Sequence, residues 1–268
     1  QEVKAPLPTA PTRPPAKISA KPPRKTVEFP PKRNGRNMGW GDFSLGLRHT
    51  SREVEPDITK RKQITSDGTT TSIEDISVAG VGTSDLPTAL HIDSLHLRFG
   101  VTDYLEVFAE IGAAYGELSD LAFAYGGGLR LNLFEVKGGR FRGFYGGLQG
   151  EYLNGGFEEE YTSSAGNKWQ KDADWQEFVA KGELGVARSW FATYIGAAYF
   201  HYREDTERRL LENLPPSLTS FVLQDELEEK SFGVFGGIDI NLTSAILVNI
   251  EGQVLSHKSI FGALQYHF

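Results

Sequence analysis

From residue 38 onward the chain alternates apolar with polar or small residues at a period of two, and proline never falls inside an alternating run. Only four of the thirteen prolines lie in this stretch, at Pro56, Pro87, Pro215 and Pro216, each between periodic segments. Proline cannot donate to a hydrogen-bond ladder, so a sheet without edges must exclude it from its strands. In one run Phe232, Val234, Gly236, Ile238, Ile240 and Leu242 share a side, opposed by Gly233, Phe235, Gly237, Asp239 and Asn241. In another, Leu105, Val107, Ala109 and Ile111 oppose Glu106, Phe108 and Glu110. A period of two belongs to a strand whose faces meet different surroundings.

The pattern predicts ten strands, at 38–49, 88–100, 104–116, 121–134, 141–153, 174–188, 190–203, 228–242, 245–255 and 259–268. Most are long for soluble sheets and suit a tilted membrane crossing. No apolar run approaches the about 20 residues of a transmembrane helix. Only helices and closed barrels satisfy every backbone group in lipid, so the chain is either soluble or a membrane barrel. Connections alternate between short and long, with two exceptions among the long ones. The first long connection, 50–87, holds Asp67-Gly68, a hairpin signal, so strands one and two are expected to continue above the membrane. Another runs from Glu204 through Arg208, Arg209 and Glu212 to Pro215, and is read as a short helix.

The last run, Ile260 to Phe268, puts Gly262, Leu264, Tyr266 and Phe268 on one face and Phe261, Ala263, Gln265 and His267 on the other. It resembles the C-terminal strand of bacterial outer-membrane β-barrels, which ends on an aromatic residue. The hairpin over 97–108, with Gly100, Thr102 and Asp103 at its turn, is similar to a unit that recurs in those barrels. The resemblance implies an all-β fold, a ten-stranded antiparallel transmembrane β-barrel. It places the chain in the outer membrane of a Gram-negative-type bacterium. It also implies two partners, outer-membrane lipid and the barrel-insertion machinery, with Tyr266 and Phe268 as the assembly signal. A soluble β-sandwich or lipocalin-like barrel is the competing architecture. Aromatics near strand ends (Trp40, Tyr104, Tyr145, Tyr152, Trp175, Trp190) favour the membrane. Such motifs name no activity.

Residues 1–37 differ from the rest. They hold nine prolines and nine Lys or Arg against Glu2 and Glu28, a net +7 in a chain of −7, so residues 38–268 carry −14. Few large apolar side chains are available to bury. The expected organisation is a disordered basic Pro-rich periplasmic arm (1–37) and a barrel domain (38–268). The arm is either a solvated spacer or a strip that docks a periplasmic protein or cell-wall polymer through Lys17, Lys21, Arg24, Lys25, Lys32 and Arg33. It lacks interleaved aromatics, so nucleic acid is not an expected partner. Gln1 leads straight into this segment, and the numbering is read as starting after a cleaved export signal.

If the polar faces turn inward, they bring together Asp42, Arg48, Arg98, Glu106, Glu110, Arg130, Glu151, Glu177, Lys181, Glu183, Asp239 and Glu251, with His96 and His267 nearby. Unpaired charge in a narrow interior is costly, so these groups should pair or hold water. The expected centre is Arg98 and Arg130 among Glu106, Glu110, Glu151 and Glu251. A polar plug is one outcome, and a narrow cation-leaning channel, from the excess of acids, is the other. The candidate enzyme sites are His91 with Asp93 and His201 with Asp205, for a protease, and Ser256-His257-Lys258-Ser259, for a lipid A deacylase. Neither set is complete, so no catalytic residues are assigned. There is no cysteine, and the six histidines lack metal-ligand spacing, so neither metal nor cofactor is expected. The functional expectation is a non-enzymatic barrel with a structural or interaction role.

Overall fold

A computed structural model describes residues 38–53, 56–78, 89–116, 121–163, 165–255 and 258–268. The arm 1–37, with the six basic residues expected to form a docking strip, and Ser256 and His257 lie outside the described residues. Twelve strands follow in order: β1 (Phe43–Glu53), β2 (Asp57–Ser66), β3 (Thr71–Ile76), β4 (Ala89–Gly100), β5 (Leu105–Gly116), β6 (Ala122–Glu135), β7 (Phe144–Thr162), β8 (Lys168–Ala187), β9 (Phe191–Leu210), β10 (Ser220–Asn241), β11 (Ile246–Leu255) and β12 (Ser259–His267).

Ten of these, β1 and β4 to β12, close into an antiparallel barrel. Closure is made by β1 on β12, from Ser44↔His267 to Arg52↔Ser259, and the Phe268 N–H reaches Phe43 O at 3.1 Å. The ten-stranded barrel is therefore present as expected. Its walls are uneven. β7 to β10 run 19, 20, 20 and 22 residues, while β11 and β12 have 10 and 9. The four long strands rise as a wall at the end away from Phe43 and Phe268.

Three local expectations are corrected. The first strand spans Phe43–Glu53 rather than 38–49, because the chain turns at residues 39–42, where Asp42 accepts the Gly39 N–H at 2.8 Å. The segment 204–210 is strand, not helix, and pairs with β8 and β10 on either side. Charges occupy both of its faces, Glu204 and Arg208 inward and Asp205 and Glu207 outward, which hides the period of two. Finally, the Asp67-Gly68 hairpin exists but does not prolong strands one and two.

That hairpin, β2–β3, turns at Gly68 (φ 92°), a backbone conformation that disfavours any residue with a Cβ. Asp67 Oδ1 accepts the Thr69 and Thr70 N–H groups, each at 2.8 Å. β10 spends Gly233–Asn241 on β11 and has its upper half, Ser220–Glu228, left over because β11 ends lower down. β2 crosses over and pairs with that half. An edge that would otherwise be open is thereby covered.

Candidate functional site

Every barrel strand sends one residue in two to the outside, and in the lower part of the wall that residue is mostly apolar. Leu47, Leu129, Leu184, Ile195, Ile250 and Leu264 are all exposed there. Aromatics ring the lower edge (Trp40, Phe43, Tyr104, Trp190, Tyr266, Phe268) and the upper edge (Phe123, Tyr125, Tyr152, Phe178, Phe232), all exposed. The opposite face is the reverse: Arg48, Arg52, Arg98, Glu106, Glu110, Arg130, Glu151 and Glu177 are buried. A molecule with its charges inside and an aromatic-bordered apolar belt outside is built for lipid. The fold is that of an outer-membrane β-barrel.

The barrel is similar in fold to the outer membrane protease OmpT from Escherichia coli (9% identity, TM-score 0.49, covering 85% of this chain and 97% of that one). It is also similar to OprG from Pseudomonas aeruginosa (13%, 0.42, 87% and 98%) and to Ail of Yersinia pestis (8%, 0.32, 85% and 99%). Likeness at these identities concerns fold alone. No protein-family model matches the sequence, and no curated protein matches it.

Inside, the charges fill the lumen as a plug of paired groups. Nearest the Phe43–Phe268 end, Arg98 grips Glu106 through two hydrogen bonds (2.6 and 2.7 Å) and donates a third to Gln265 at 2.6 Å. Above it Arg48 is the hub: its Nη1 lies 2.8 Å from Glu110 and 2.5 Å from Glu151, and its guanidinium sits 4.7 Å over the Phe261 ring. Lys181 reaches Glu251 at 2.6 Å, and Tyr194 donates to the same carboxylate at 2.9 Å. Asn249 ties Tyr194 to Asp239. Arg130 pairs with Glu183, and Arg52 with Glu177. A cavity of about 60 Å³ among Arg48, His96, Arg130, Lys181 and Glu251 has room only for a few waters.

All nine residues expected in the lumenal network, Arg98, Glu106, Glu110, Arg130, Glu151, Lys181, Glu183, Asp239 and Glu251, are on the inner face. The partners differ from expectation. Arg48 rather than Arg130 meets Glu110 and Glu151, because the pairs are set by which strands adjoin across the lumen. Asp42 is not a member, being used by the Gly39 turn. Arg52, which went unrecognised, is. On the inner face below the Trp175 layer, seven buried acids (Glu106, Glu110, Glu151, Glu177, Glu183, Asp239, Glu251) and the partly buried Glu229, at the level of Glu177, stand against five bases (Arg48, Arg52, Arg98, Arg130, Lys181). The excess is three, against the four expected, so the case for a cation path is little changed.

An apolar layer caps the plug. Trp175, fully buried, stacks on Tyr202 (6.3 Å, 17°), and Phe200 stacks on Tyr202 (6.4 Å, 7°). Leu90, Ile92, Leu153, Phe157 and Val179 complete it. Gly155 makes the fit possible, since a Cβ there would sit 2.6 Å from the indole. Trp175 and Tyr145, expected among the interfacial aromatics, are therefore inward and buried; alternation alone does not say which face a strand turns to lipid. Higher still, Glu204 takes hydrogen bonds from Tyr202 and Thr206 (both 2.7 Å) and pairs with buried Lys171 at 2.8 Å. Burial pushes the Glu204 carboxyl up, but Lys171 and these donors outweigh it and hold it below the usual range.

Outside the wall a shallow trough of about 660 Å³ crosses β8, β9, β10 and β2. Lys60, Lys62, Asp172, Asp174, Arg203 and Asp205 line it. Asp174 stands directly opposite Asp205, and Asp172 opposite Glu207. Like charges so placed repel. Burial, with Glu158 adding to it, lifts the Asp172 carboxyl above its ordinary value. His201 pairs with Glu228 (2.8 Å) instead of Asp205.

Proposed function

We propose that this barrel is non-conducting and works through its outer surfaces, as an interaction platform in the outer membrane. The observation that carries the reading is the plug: paired charges beneath a stacked Trp175–Tyr202–Phe200 layer, leaving a cavity of about 60 Å³. A pore would need a continuous wet path. Short turns lie at the end with the termini, the periplasmic side in barrels of this kind. On that orientation the β7–β10 wall and the β2–β3 hairpin are extracellular, and the repelling acid pairs of the trough favour a partner with basic groups. The arm 1–37, at net +7, is then on the periplasmic side, where it suits an anionic cell-wall polymer or an acidic protein face.

Planar-bilayer recording tests the plug. The expected record shows no stable open level. A stable level that falls when Glu110 is changed to Lys would replace this reading with the small cation-leaning channel. Pull-down of the cell-wall polymer with and without residues 1–37 tests the arm; equal recovery from both would refute its docking role.

A further inference from the structure

On β1, β4 and β5 the lipid-facing side is apolar up to Leu47, Leu95 and Ile111 and then changes. The next outward positions are His49, Asp93 and Ala113, and those above them are Ser51, His91 and Tyr115. Across the seam the same height stays apolar, since Ile260 of β12 pairs with Ser51. With a rise of about 3.3 Å and a tilt of about 40°, each residue gains roughly 2.5 Å of height. Ser51 thus stands roughly 20 Å above Phe43, inside a belt about 25 Å tall. Ionisable groups at membrane depth are costly and mark function by default.

These groups are also ordered. His49 Nδ1 lies 2.6 Å from Asp93 Oδ1, and Tyr115 donates to Asp93 Oδ2 at 3.1 Å. His49 stacks on His91 (6.1 Å, 20°), and His91 on Tyr115 (5.2 Å, 25°). With Asp93 accepting from Nδ1–H, His49 keeps its lone pair on Nε2, the arrangement of a general base steadied by a carboxylate. Ser51 follows two residues later on the same strand, so its hydroxyl leaves the same face as the imidazole. His91 is directly opposite Ser51 and can offer a ring N–H. Gly262, opposite His49, leaves open space: a Cβ there would have its nearest neighbour at 4.0 Å.

We propose that Ser51, His49 and Asp93 form a hydrolytic triad on the outer wall that cleaves acyl esters of lipids in the surrounding leaflet, the outer one on the orientation argued above. Acyl chains would lie along Leu47, Leu95 and Leu264, which brings the ester group up to the triad. Ser51 Oγ attacks the carbonyl carbon while its proton passes to His49 Nε2. His91 donates to the oxyanion. The carbon–oxygen bond to the lipid alcohol breaks, His49 returns the proton to that oxygen, and the acyl group remains on Ser51. Water, deprotonated by His49, then attacks the acyl-serine, releasing a fatty acid and restoring the Ser51 hydroxyl. One ester and one water yield one acid and one alcohol.

The full chain is reconstituted in vesicles of palmitoyl-oleoyl phosphatidylethanolamine, alone or with added lipopolysaccharide. Released fatty acid is measured by mass spectrometry, and a fluorophosphonate probe reports Ser51 by peptide mapping. Release should fall about 10³-fold or more in Ser51→Ala, and by about 10² to 10⁴ in Asp93→Asn and His49→Gln. Heat-modifiable migration confirms that each variant is folded. The vesicle that yields acid distinguishes phospholipid from glycolipid as the source. No release from either vesicle, or release that survives Ser51→Ala, overturns the proposal. Bilayer recording is independent of this result, so an open pore sinks the plug alone and absent hydrolysis sinks the triad alone.

Discussion

The two faces of β1 obey different rules. Inward, Arg48 and Arg52 are buried, each with a carboxylate partner, and Arg48 is held by two strands at once. Outward, His49 and its partner Asp93 are about half exposed, at 51% and 56% of their side chains, in a surface otherwise given to lipid. Charges of the first kind hold the barrel together, because water cannot replace a lost partner. Charges of the second kind contribute little stability, so their organisation calls for another explanation. Neighbouring residues of one strand thus separate charge buried in the plug from charge turned outward.

The sharpest way to break that contrast is Arg48→Ala. It leaves Glu110 and Glu151 buried and uncompensated, so unfolding in detergent with guanidinium should show a loss of about 3–5 kcal/mol. A loss under about 1 kcal/mol would mean the plug is not structural. Trp175→Ala should cost a similar amount, about 3–5 kcal/mol, by opening a cavity in the capping layer. It should also add a small ionic leak in bilayer recordings if that layer is what seals the lumen.

On the outer face the expected change is smaller. His49→Leu continues the apolar belt and should leave stability within about 1 kcal/mol of the parent. A loss as large as that of Arg48→Ala would erase the distinction between the two faces. The smallest effect belongs to the β2–β3 hairpin. A hydrogen bond from Lys60 (2.7 Å) holds the exposed Glu226 carboxyl below its ordinary value of 4.5. A carboxyl depressed by folding contributes stability above its unfolded pKa and loses it as pH falls through the folded one. Amide exchange over 57–66, corrected for intrinsic rates, should therefore quicken below about pH 4.5, and Glu226→Gln should flatten that response.

Legibility in the sequence varied with how far each feature depended on neighbours. The runs at 104–116, 245–255 and 259–268 were read almost to the residue, because one face is apolar and the other polar. Above the belt both faces of β9 are wet or charged, and the period of two disappears from view between Glu204 and Arg209. The same loss of contrast hid Lys171 with Glu204. His91 and Asp93 were noticed as a pair, yet the partner Asp93 takes is His49, forty-four residues earlier.

While the closed membrane barrel rested on the resemblance of the last strand and the 97–108 hairpin, alternation and the placing of proline were enough, by themselves, to mark out ten strands and to nominate the charges that share a face. Both are local properties, since period two survives in any register and proline disrupts a ladder wherever it falls. Tertiary structure alone decided that Arg48 would meet Glu110 and Glu151, 62 and 103 residues away, and that β2 would cover the free upper half of β10. It also decided that the His49 imidazole and the Asp93 carboxylate would share a face toward lipid. Such pairings follow from strand register and from unequal strand lengths around a closed sheet. No single segment carries that information, because it exists only once all ten strands have met.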